Sequence, residues 1–254
     1  MTDRRWLLLL AALLLPAKLR AQAGPPYETD DPDPVEYRHW EFYLATQDLR
    51  ADDGLSGTAP HVELNYGARP GLQLHVLVPF AYARPVGGPT AFGIGDVEVG
   101  AKLRFVDEGR WRPMIGTFVQ TEWPAGSAAS GLGTGHLHVL LPIWLQKSLG
   151  PWSTDAGGGY FVNPGEGNRD FWVIGWQVGR RVSQHATLGT ELYHTTPDQV
   201  GGSGSLRSNV GLVLDLTDHD HLLVSAGHSL AGSRRTQGYL AYQLTWGPRR
   251  PPPP

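Results

Sequence analysis

Ten consecutive residues, DVEVGAKLRF at 96–105, separate cleanly by parity. Val97, Val99, Ala101, Leu103 and Phe105 form one set; Asp96, Glu98, Gly100, Lys102 and Arg104 form the other. A period of two places these sets on opposite faces of an extended strand, and a helix would scramble them. The same alternation recurs in HVELNY (61–66) and in GYLAYQLTW (238–246). The pattern predicts twelve strands, at about 38–49, 58–66, 72–82, 94–106, 111–123, 136–148, 152–162, 170–180, 185–194, 208–216, 221–229 and 237–246.

The connections sort by length. After odd strands come RADDGLSG, ARPVGGPTAFG, PAGSAASGLGTG, NPGEGNR, TTPDQVGGSGSLR and LAGSRRT. After even strands come only GARPG, DEGR, LGP, RVSQ and TDHD. A soluble sandwich has no reason to sort its loops, whereas an outer-membrane barrel puts short turns on the periplasmic side and longer loops outside. The expectation is therefore an all-β fold: a twelve-stranded antiparallel transmembrane β-barrel occupying 37–246. Closure follows from the solvent, because hydrocarbon offers no partner for an unpaired backbone group. Trp40, Trp111, Trp123, Trp144, Trp152, Trp172 and Trp246 sit near strand ends and predict aromatic girdles at the two interfaces.

The N-terminus agrees with export. Arg4 and Arg5 precede an apolar run from Trp6 to Leu15, and Ala21-Gln22-Ala23 closes it with small residues. The run is shorter than the roughly 20 residues a spanning helix needs. Residues 1–23 therefore read as a secretory signal peptide cleaved after Ala23. Residues 24–36, an acidic, proline-rich lead-in, follow. Prolines 25, 26, 32 and 34 block helix and strand pairing there. A solvated periplasmic tail is the simpler expectation for it, and a segment folded back into the lumen is the other. Residues 247–254 form a proline-rich tail. The chain has no cysteine, which excludes disulfides, thiolate metal sites and cysteine nucleophiles. A net charge of −3 gives no basic footprint for nucleic acid.

GPPYETDDPDPVEYRHWEFYLATQ, GTAPHVELNYGARPGLQLHVLVP, GIGDVEVGAKLRF, LPIWLQKSLGPW, GGGYFVNPGEGNRDFW and ELYHTTPDQVGG together resemble the outer-membrane transporters grouped under the meta-pathway of phenol degradation. The resemblance implies an outer-membrane barrel and uptake of hydrophobic or aromatic compounds. Two departures stand out. Arg38 occupies a position where glycine is expected, and GPRRPPPP follows Trp246 where such chains end on an aromatic residue.

Glu63, Asp96, Glu98, Lys102, Arg104, Glu122, His136 and Glu191 are the candidates for lumen lining and selectivity. Lys102 and Arg104 are expected to pair with Glu98 and neighbouring acids inside the barrel. His136 with His138, and His219 with His221, are spaced to share a metal, but neither pair has an identifiable third ligand. GLGTG (131–135) reads as an external loop rather than a phosphate cradle, since no helix follows. No catalytic pattern and no cofactor are implied. A rival reading, an acyl-chain hydrolase at the outer rim, would use Ser130, His136 and Glu122. A third reading is a structural barrel with a plugged lumen. The expected partners are outer-membrane lipid, the barrel assembly machinery and a small solute, around a monomer in the cell outer membrane.

Overall fold

The computed structural model describes residues 25–248; the expected signal peptide and the end of the C-terminal tail lie outside them. Thirteen strands follow one another: β1 (Trp40–Ala51), β2 (Gly54–Arg69), β3 (Leu72–Pro85), β4 (Ala91–Ile94), β5 (Val97–Val106), β6 (Met114–Trp123), β7 (His138–Leu149), β8 (Trp152–Val162), β9 (Phe171–Ser183), β10 (Ala186–Thr195), β11 (Ser205–Asp215), β12 (Asp220–Ala231) and β13 (Arg235–Trp246). Strands β4 and β5 lie end to end along β3, interrupted only at Gly95 and Asp96. They form one stave, so the wall has twelve. Each stave pairs antiparallel with its neighbours, and β1 pairs with both β2 and β13, from Trp40↔Trp246 to Ala51↔Arg235. The ring is closed and leaves no sheet edge.

The protein is inside out. Inward residues such as Glu63, His75, Lys102, Asp155, Glu191 and Asn209 are buried, while outward Leu44, Leu103, Ile143, Ile174 and Val210 are exposed. The same parity that builds the strands thus sorts polar groups inward and apolar groups outward, as a barrel in lipid requires. Trp40 stacks on Trp246 at 6.0 Å where the first and last strands meet. Trp111, Trp123, Trp152 and Trp172 are also exposed near strand ends. Trp144 departs from the girdle expectation: its parity points it inward, and it is 1% exposed.

Loop sorting holds only in part. The loop end carries the long connections 124–137, 163–170 and 196–204, yet β1 and β2 are joined there through Asp52 and Asp53 alone, and β12 and β13 through 232–234. Strands β1, β2 and β3 run further toward that end than predicted, absorbing most of RADDGLSG into a ladder. At the turn end, 107–113 between β5 and β6 is longer than the expected DEGR.

Candidate functional site

The lumen is not empty. Residues 26–35 run through it from the loop-end half to the turn end, where Val35 lies, bonded to the wall at most steps. Val35 donates its N–H to Gln73 Oε1 at 2.9 Å. Asp33 accepts from Arg104 at 2.6 Å. Lys102 Nζ donates to Asp30 and Asp31 at 2.8 and 3.3 Å. The N–H groups of Glu28 and Thr29 both reach the Glu191 carboxylate. Arg207 grips Glu28 with two nitrogens, at 2.9 and 2.5 Å, and Gln237 adds a third bond at 3.0 Å. Ser225 Oγ donates to the Pro26 carbonyl at 2.7 Å. Thr29 and Asp31 are 0% and 1% exposed. The simpler expectation of a solvated tail is thereby corrected. Proline leaves fewer N–H groups to satisfy, and four acids meet a cationic wall, so burial costs this segment less than its composition suggests.

The wall is shaped for the segment as well as charged for it. A Cβ on Gly211 would lie 2.6 Å from the Tyr27 hydroxyl, and one on Gly116 would lie 2.9 Å from Pro32 Cβ. Gly189 and Gly175 would likewise collide with Tyr27 and Thr29. These inward glycines give the backbone of the wall a close approach to the plug. Below the plug, Arg38 has φ of 65°, the left-handed region that favours glycine. That explains why glycine is the expected residue there. Its N–H donates to the Gly67 carbonyl at 2.7 Å, turning the chain from the lumen into β1.

Six of the eight predicted lining residues face the lumen. Lys102 and Arg104 hold the plug rather than Glu98, which is a correction to the expected pairing. Glu191 caps the plug backbone. Glu63 and Glu98 lie 3.5 and 2.9 Å from the two nitrogens of His75, so this imidazole bridges β2 and β5. Glu122 lies 3.4 Å from His138. The other two sit elsewhere. Asp96, at the break between β4 and β5, accepts from Gly126 N, Thr134 N and Thr134 Oγ1, fastening the 124–137 loop. His136 is exposed within that loop, so His136 and His138 do not share a strand face. His221 bonds Asp215 at 2.8 Å, while His219 lies in the turn before β12. The Ser130 hydroxyl accepts from Ser127, and Glu122 faces His138, so the rim triad is not assembled among the described residues.

Arg207 and Gln73 were missed. Arg207 falls one residue before the strand predicted at 208–216, although its parity with Asn209 and Gly211 places it inward. Gln73 was passed over because uncharged amides carry no obvious signal.

No family model matches the sequence, and no curated protein does. Solved structures do. An outer membrane channel from Pseudomonas putida F1 superposes with a TM-score of 0.71 over 89% of this chain and 100% of its own, at 19% identity. The KdgM porin gives 0.56 over 80% and 99%, at 15% identity, and the NanC porin gives 0.56 over 80% and 98%, at 7%. The class is therefore fixed at the level of fold: a twelve-stranded antiparallel β-barrel of the outer-membrane type.

Proposed function

We propose that this chain is an outer-membrane conduit for small apolar solutes, aromatic ones included, in which residues 25–35 keep the aqueous route shut. Export through cleavage after Ala23, delivery to the barrel assembly machinery and a monomeric state belong to this reading. The turn end then faces the periplasm and the loop end faces outside. The names of the similar structures, a channel and two porins, support passage of solutes. The observation that carries the apolar preference is in the wall. Register partners of β6 and β7 stop at Gly116↔Trp144 and resume at Gln120↔Leu140. Pro142 lies in the gap and has no N–H to give; Thr117 Oγ1 bonds its carbonyl instead, at 2.7 Å. Phe118 and Trp144 lie buried on the inner side, and Leu141 and Ile143 are exposed on the outer. Gly157, Gly158 and Gly159 on β8 flank the same place. A polar, plugged lumen with an apolar, under-bonded wall suits a solute that leaves sideways into lipid better than one that crosses in water.

The test uses the absence of native cysteine. Val119→Cys with Leu141→Cys, which face each other when the register on either side of the gap is carried through it, allows the wall to be locked by oxidation. In vesicles, uptake of an aromatic probe is expected to fall on oxidation and recover on reduction, while ion conductance stays low in both states. Deleting residues 25–35 is expected to raise conductance several-fold. Conductance that is high in the intact chain and blocked by the probe would replace the wall route with an aqueous one. Uptake at the level of empty vesicles would leave a structural barrel with a closed lumen.

A further inference from the structure

The loop-end rim is electrostatically lopsided, and the imbalance is aligned with the lipid. Arg50 on β1 pairs with Thr236 on β13 and Leu55 on β2; Thr236 pairs with His228 on β12, and Leu55 with Arg84 on β3. Directly paired residues share a face, so His228, Thr236, Arg50, Leu55 and Arg84 form one outward row across five staves. His228, Arg50 and Arg84 are exposed along it, and Arg234 stands exposed at the hairpin just above. None of these three arginines is ion-paired among the described residues. Two clefts meet at Arg50: one of about 400 Å³, lined by Arg50, Asp52, His228, Arg234 and Arg235, and one of about 270 Å³ that includes Arg84. The nearest acid in the row beneath, Asp48, is taken by the Tyr82 hydroxyl. The 124–137 loop, whose Gly131 lies against Ala83 on β3, contains no lysine or arginine to add to the row and no acid to neutralise it.

Below the basic row the same staves turn apolar. Ala226 and Gly238 come first, and a Cβ on Gly238 would stand in open space. Val224, Leu240, Leu44 and Phe80 follow, all exposed. A free anion would use the cations and ignore this column. An anionic amphiphile would use both.

We propose that this sector binds a phosphorylated glycolipid of the outer leaflet. Its phosphates would sit in the clefts on Arg50, Arg84 and Arg234, and its acyl chains would lie along the column through Leu240 and Phe80. Arginine suits the task because its planar fork donates to two phosphate oxygens at once. The proposal rests on the outer-membrane reading; cell fractionation tests that reading separately, since a chain absent from the outer membrane would remove it whatever the lipid result.

The experiment is native mass spectrometry of the full chain released from phosphatidylcholine nanodiscs doped with bis-phosphorylated lipid A. Retained lipid A is expected, with binding weaker by roughly tenfold for each of Arg50→Ala, Arg84→Ala and Arg234→Ala. Arg169→Ala, an exposed rim arginine outside the sector, should leave retention unchanged. All the targets are exposed, and heat-modifiable gel mobility confirms that each variant is folded. Equal loss with Arg169→Ala, or equal retention of dephosphorylated lipid A, would overturn the site. Displacement by an equal concentration of inorganic phosphate would assign the clefts to a free anion instead of a lipid.

Discussion

The lumen and the wall sector β6–β7–β8 follow opposite rules. Inside, the acids of the plug meet cations, Asp30 and Asp31 with Lys102, Asp33 with Arg104 and Glu28 with Arg207, although Thr29 Oγ1 and one Asp31 oxygen are buried without a hydrogen bond. In the wall sector the ladder is interrupted at Pro142, and three glycines stand beside it. Local opening follows local bonding, so the segment that looks like a loose tail is the braced one, and the regular strand is the weak one. Under the proposed function, this contrast keeps the aqueous route and the wall route physically apart.

The largest way to break this contrast is to unbrace the plug. Lys102→Met leaves the buried Asp31 carboxylate without its cation, a change of the kind that costs about 3–5 kcal/mol. The plug should then dwell outside its seat, read as bursts of higher conductance and as proteolytic nicking within 25–36 of the refolded protein. Unchanged conductance with Lys102→Met would mean that the ion pairs do not hold the segment. Gly211→Val attacks the same seat by shape, driving a side chain into Tyr27, with an overpacking cost of about 1–3 kcal/mol.

Most of this architecture was legible because parity is a strong signal. DVEVGAKLRF and GYLAYQLTW set both the strand and its inward face, and β5 and β13 follow them. The errors have physical causes. Trp144 looked like a girdle residue from its type and place in the chain, but its parity with Gln146 and His138 turns it inward. β2 and β3 extend past the expected 58–66 and 72–82 because residues 54–57 and 82–85 pair in the ladder although glycine and proline there signal a turn. The plug was ambiguous because ETDDPDP looks disordered by itself. Its order depends on Lys102, Arg104 and Arg207, which are 71 or more positions from the acids they hold, and no local window contains that information.

A smaller effect should come from repairing the wall. Pro142→Ala restores an N–H opposite Phe118 on β6. One added ladder bond is worth about 1 kcal/mol in melting stability. The sharper readout is functional: uptake of the aromatic probe should slow while conductance does not change. Uptake that fell together with conductance would place the solute in the lumen and erase the distinction between the two routes.

The smallest effect concerns what bounds the weak seam. Asp96 ties the loop end through Gly126 and Thr134, and Glu108 ties the turn end by accepting from Lys147 Nζ at 2.6 Å, Ser148 N at 2.9 Å and Ser148 Oγ at 3.1 Å. Burial disfavours the Glu108 charge, but hydrogen bonds from Lys147 and Ser148 outweigh it and hold the carboxyl below its ordinary range. A lowered pKa stabilises the fold above the unfolded-state value, and that stabilisation is lost as pH falls through the lowered one. The contribution is about 1 kcal/mol or less for a partly solvated pair. Acidification should therefore loosen the turn end of β6–β7, seen as faster amide exchange at residues 107–116 and 146–149, and Glu108→Gln should produce the same change already at neutral pH. Exchange that rose equally around every turn at that end would deny the clamp and make the seam's weakness a property of the whole rim.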